Sequence, residues 1–133
     1  MGRSTYARRK ERGQELVEFA LILPLLLLLL VGIFEFGYVV FVQNSLSNAV
    51  REGARYGAVK SDDETGIVTT ARRLTTGLDQ SKLVDDAWTV EVAGDRVAVS
   101  VEYEHHLFTG FLLRAFDDGK VTLKASSSMG IER

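Results

Sequence analysis

The chain has 133 residues, no cysteine and a formal net charge of −2. The missing cysteines exclude a disulfide framework, a thiol nucleophile and any cysteine-based metal site. The charge is unevenly spread: Arg3, Arg8, Arg9, Lys10 and Arg12 against Glu11 make residues 1–13 net +4, which leaves −6 for the remainder. A basic block confined to one end points to membrane topology. The acidic remainder lacks a basic stripe with interleaved aromatics, so no nucleic-acid partner is expected.

The first element is an apolar helix. Residues 19–34 read FALILPLLLLLLVGIF before the charge at Glu35, and FGYVVFV continues to Val42. At about 1.5 Å per residue, a span over about 19–42 crosses a hydrocarbon core of about 30 Å. A buried helix of a soluble protein would show a polar face, and six consecutive leucines, Leu25–Leu30, leave none. A removable secretory signal has a shorter apolar core and a small-residue cleavage site, and neither is found here. With the basic block on its N-terminal side, the positive-inside rule places the N-terminus in the cytoplasm and the C-terminal part outside. The lipid bilayer is therefore the first expected partner.

Nothing breaks the chain at Val42. Leu46, Ala49, Val50, Gly53, Ala54 and Gly57 recur at spacings of three and four, which predicts one helix from about Gln14 to about Val59. Gly53 and Gly57 make a small-residue face on which another backbone can pack closely. Pro24 removes one helical hydrogen bond and predicts a kink or local opening. Ser61-Asp62-Asp63-Glu64 reads as a capping box, Ser61 the cap and Glu64 reaching back, ahead of a second helix over roughly 62–76. Ile67, Val68, Ala71 and Leu74 form its apolar face.

Residues 77–86 read as polar loop. The period then becomes two: Trp88, Val90 and Val92, a turn at Ala93-Gly94-Asp95, then Val97, Val99, Val101 and Tyr103. That is a β-hairpin. His106–Phe116 is irregular or a helical turn, and Asp117-Asp118-Gly119 is a further turn. A last strand from Lys120 to about Ile131 carries Val121, Leu123, Ala125, Met129 and Ile131 on one parity. One-sided alternation means one buried face. The expected fold is α+β: a basic leader at 1–13, the long helix at 14–59, and a head at 60–133 in which a short helix accompanies a small three-stranded antiparallel sheet.

The junction RRKERGQELVEFALILP carries the one distinctive motif: Gly13, four residues, then Glu18-Phe19 opening the apolar run. A carboxylate at the mouth of a membrane helix is costly without a partner. Cleavage after Gly13 would create an α-ammonium on Gln14, four residues before Glu18, and the two charges would offset each other. Glycine also leaves an extended backbone open to a protease. Glu35 lies about 25 Å further along the helix, where it can pair with a partner subunit or mark the outer membrane–water boundary.

These residues resemble the processing motif of Flp/Tad-type prepilins. The continuation is similar to the TadE-like minor pilins: Leu16–Leu21 with Leu23-Pro24, then Glu35-Phe36-Gly37, then Asn48–Tyr56, and a last strand from Lys124 to Glu132. The resemblance implies a pilin-like fold and a precursor cut by a prepilin peptidase at Gly13/Gln14, with Glu18 and Phe19 in recognition and assembly. It also implies other pilins and Tad assembly proteins as partners, inner-membrane residence or a place in the pilus, and a role in tight adherence. The rival expectation is a permanently anchored, uncut scaffold subunit of the same machinery.

No catalytic arrangement is legible. His105 and His106 lack metal-ligand spacing to carboxylates. The pairs Asp62-Asp63, Asp85-Asp86 and Asp117-Asp118 do not form a calcium-loop pattern and read as solvated turn carboxylates. Neither an enzyme nor a cofactor is expected. The topology is open to a direct check: a cysteine replacing Ser81 should react with a membrane-impermeant thiol reagent from outside, and one replacing Ser4 should not. The reverse pattern would overturn the orientation.

Overall fold

The sheet and the helices follow from two apolar periods meeting on one face. A computed structural model describes residues 4–110 and 119–132, with side chains for 13–83, 87–110 and 119–132. The elements are α1 (Ser4–Val59), α2 (Glu64–Arg73), a 3-10 turn (Gln80–Lys82), β1 (Leu83–Ala93), β2 (Arg96–His106) and β3 (Lys120–Gly130). They form the α+β layout that the patterning predicts. The contacts divide the chain into two units, residues 1–35 and 36–133, so residues 36–59 of α1 belong to the head unit.

In the first unit every residue from Gly13 to Val31 is exposed. No residue in the most apolar stretch of α1 is buried. A helix apolar on all sides and covered on none requires lipid or other helices. The helix starts at Ser4, ten residues before the expected start. Arg, Lys and Glu are good helix formers, and one glycine at position 13 opposes them by only about 1 kcal/mol. The helix also runs through Pro24 without a break in assignment, although the proline leaves the Ala20 carbonyl without its amide donor.

In the second unit the sheet order is β1-β2-β3, antiparallel throughout, with β2 central. Its hairpin closes in two residues. Gly94 has φ +60° and Asp95 does not share the positive φ, as a type II′ turn requires. Val97, Val99, Val101 and Tyr103 on β2 are wholly buried against Val42, Leu46, Val50 and Ala54 of α1. Burying side chains of this size contributes about 1.5–3 kcal/mol each. The chain end is tied to the end of α1: Glu132 N–H donates to the Ala58 carbonyl at 2.8 Å, and Ile131 N–H to Asp95 O at 2.7 Å.

Several expectations are corrected. The cap of α2 is Asp63, not Ser61. Residues 60–63 are a turn in which Asp63 N–H reaches Lys60 O at 3.3 Å, so the helix starts late enough for Asp63 to accept from Gly66 N–H at 2.9 Å and from Tyr56 Oη at 2.9 Å. The Gly66 amide first, and then the Tyr56 hydroxyl, hold the Asp63 carboxyl below the usual carboxylate range. Ser61 instead donates to Asp62. The helix stops at Arg73 in overlapping turns, which leaves Leu74 half-exposed and buries Thr75 and Leu78.

Residues 77–86 are not all loop, since β1 starts at Leu83. Its pairing jumps from Leu83↔Tyr103 to Trp88↔Val101, and that irregularity erases the alternation over 84–86. The last strand runs from Lys120 to Gly130, as expected to within a residue. The expected irregular stretch at 106–116 is described only to Gly110, and Asp117 and Asp118 also lie outside the described residues.

Gly53 and Gly57 make their close approach within the head. A Cβ on Gly53 would lie 3.1 Å from Ala71 Cβ, and one on Gly57 would lie 2.9 Å from Ile67 Cδ1 and 3.0 Å from Val97 Cγ2. Gly57→Val should therefore lower the stability of the full chain in detergent by about 1–3 kcal/mol through overpacking. Gly77→Ala, where a Cβ meets nothing within 4 Å, should be neutral or stabilising by up to about 1 kcal/mol. Denaturant melts followed by Trp88 fluorescence compare the two; equal midpoints would contradict the packing.

Candidate functional site at the mouth of the apolar helix

Helical spacing puts residues four apart on one face, about 6 Å between Cβ atoms. Gln14 and Glu18 use this spacing: Gln14 Nε2 donates to Glu18 Oε1 at 3.2 Å. Glu18 thus shares a helix face with Gln14. An ammonium and a helix N-terminus both favour a carboxylate in the first turn. Gly13 has open space around it, and Phe19, next to Glu18, is exposed. Exposed groups of this kind are accessible to an enzyme at the membrane surface and to a neighbouring helix.

The other residues singled out from the sequence lie elsewhere. Pro24 is exposed further along the first unit and Glu35 is half-buried at its end. Glu35 is 17 residues from Glu18, about 25 Å of helix, so those two carboxylates do not share a site. Gly53 and Gly57 are buried in the head. Among the described residues no group of three or more His, Asp or Glu could hold a metal ion.

Sequence reasoning missed a polar cluster low in the head. The Tyr38 and His105 rings lie 5.1 Å apart, tilted by 46°, and Tyr103 is wholly buried beside them. Burial, followed by the neighbouring Tyr38 hydroxyl, pushes the Tyr103 hydroxyl up to about 12. A signal for this cluster existed. His105 continues the inward parity of Val97, Val99, Val101 and Tyr103 on β2, but a histidine pair draws attention as a ligand rather than as core.

Comparison with curated proteins and with solved structures gives no match. A family model described as TadE-like protein matches residues 13–55. That stretch starts at Gly13, includes Glu18 and the whole apolar run, and ends in the small-residue face of α1; the sheet lies outside it. Over this segment, about a third of its length, the chain is similar to the TadE-like proteins.

Proposed function

We propose that the protein is a non-catalytic minor pilin or pilin-like subunit of a Tad pilus. It is made as a precursor, cut after Gly13 by a prepilin peptidase, and assembled with other pilins through α1 in a fibre for tight adherence. Before assembly it spans the inner membrane with the leader in the cytoplasm and the head outside. The observation that carries this reading is the Gln14–Glu18 contact at the start of an uncovered apolar helix. Cutting the 13–14 bond leaves the Gln14 side-chain amide unchanged and converts the Gln14 backbone nitrogen, one helical turn from Glu18, into an α-ammonium. The carboxylate that is costly at the edge of a bilayer then acquires a partner, in its own chain or in a neighbour.

A second reading has its own support. The scissile bond lies inside α1, which is helical from Ser4, and a protease needs that backbone extended. A subunit that keeps its leader and stays in the membrane as a scaffold of the same machinery fits an unbroken helix. Gly13 lessens the difficulty, because glycine is the weakest ordinary helix former and local unwinding there is cheap.

Intact mass of the protein from its native membrane separates the readings. The expected species starts at Gln14, and Gly13 replaced by a bulky residue should abolish it. Only the Met1 form, with the peptidase active, would favour the scaffold. Glu18→Gln should still be cut but should reduce the subunit co-purifying with sheared pili roughly tenfold, the equivalent of about 1.4 kcal/mol of pairing. Glu18→Asp should fall between, and Glu35→Gln controls for loss of a carboxylate elsewhere on the helix. Normal co-purification of Glu18→Gln would return Glu18 to an ordinary interfacial residue.

A further inference from the structure

Within the head unit, β2 runs antiparallel to α1 with a matched rise. Val97 meets the face of Gly57, Val99 Cγ1 lies 3.5 Å from a Cβ built on Gly53, and His105 stacks on Tyr38. From 97 to 105 the strand rises about 26 Å at about 3.3 Å per residue. From 57 to 38 the helix covers about 28 Å at about 1.5 Å per residue. The chain beyond His105 therefore emerges at the end of this unit where its helical segment begins, at Phe36.

Among the described residues, that end carries large exposed apolar side chains. Phe36 is 71% exposed, Phe41 52% and Phe108 86%. Phe108 stands on a pinned turn: Leu107 N–H donates to Gly119 O at 2.8 Å and Gly110 N–H to Leu107 O at 3.0 Å. The Gly110 and Gly119 backbones approach so closely that a Cβ on Gly119 would lie 2.8 Å from Gly110 Cα. Beside the turn, His106 and Lys120 are cross-strand partners and both exposed, so a cation flanks the phenylalanine.

We propose that this end of the head docks on the bilayer that α1 crosses. Phe108 enters the headgroup–acyl boundary of the leaflet on the head's side, together with Phe36, Tyr38 and Phe41, while Lys120 meets lipid phosphates. The occupant follows from continuity: the exposed Phe36 and Phe41 continue the apolar run that the membrane-spanning reading assigns to lipid, while Val42 already packs into the head core, and β2 delivers Phe108 to the same end. Aromatic rings flanked by a basic side chain are the chemistry of a membrane–water interface. The proposal rests on the membrane-spanning reading of α1, and it makes the head a second point of membrane contact that must be released before the subunit can enter a fibre.

The absence of cysteine permits single nitroxide labels on the full chain. Phe108→Cys, Arg96→Cys at the opposite end of β2, and Leu27→Cys in the apolar run would be reconstituted in phosphatidylethanolamine–phosphatidylglycerol vesicles. Collision with oxygen is then compared with collision with a water-soluble nickel chelate. The oxygen-to-nickel ratio at position 108 should exceed that at 96 several-fold and approach that at 27. A ratio at 108 equal to that at 96, with 27 in lipid, overturns the docking and leaves the membrane span intact. Low access to both reagents at 108 with spin–spin broadening means that a second copy covers the surface, which also overturns it. Water exposure at 27 overturns the span, and the docking with it.

Discussion

An α-helix that is apolar on every side is unstable in water, and between Phe19 and Phe34 α1 is such a helix with no protein over it. A few turns later the same helix is covered on one face by a sheet. Its two parts thus call for different surroundings: the first is long and apolar enough to cross a lipid bilayer, and the second packs into a protein core. Most of the remaining structure answers the second requirement. The small residues Ala49, Gly53, Ala54, Gly57 and Ala58 let α2 and β2 come close, and four consecutive inward residues of β2 fill the space left over. About seventy residues beyond the helix make only a marginal core, because small domains bury a small share of their surface. Lending them one face of α1 supplies what they lack.

The division between legible and illegible features has physical causes. The apolar run, the small-residue face and the three strands were legible because each repeats a period over many residues. The cap was misplaced because Ser61 and Asp63 are both good capping residues, and only the turn at 60–63 decides between them. Leu74 was placed inward because helical periodicity was carried past Arg73, where the chain enters turns. The start of β1 was missed because several extra residues between Leu83 and Trp88 break the alternation. At the processing motif the residue types and the spacing were legible. The contact between Gln14 and Glu18 needs coordinates, as does the continuation of the helix through Gly13.

A consequence for function concerns exchange of partners. Among its described residues the first unit offers a long apolar surface and a polar entrance, so a bundle of similar helices could take the place of lipid around it at little change in burial. Lipid tails and leucine side chains are equally apolar, so transfer between them turns on packing and on polar groups at the ends. Glu18 is the polar group at that entrance. The small-residue face of the second unit is occupied by the chain itself and is not open to another helix. The head is then free to differ in sequence without altering the anchoring device, in keeping with a family match that ends at residue 55.

Site-resolved hydrogen exchange of the full chain in bilayer nanodiscs, followed across a urea series, tests the two-solvent account most directly. The account predicts that amides at 44–58 lose protection together with those of β2 and β3 as the head unfolds, while amides at 20–34 stay protected because lipid leaves them no alternative to the helix. Loss of protection at 20–34 in the same transition, or rapid exchange there in the bilayer without urea, would contradict it.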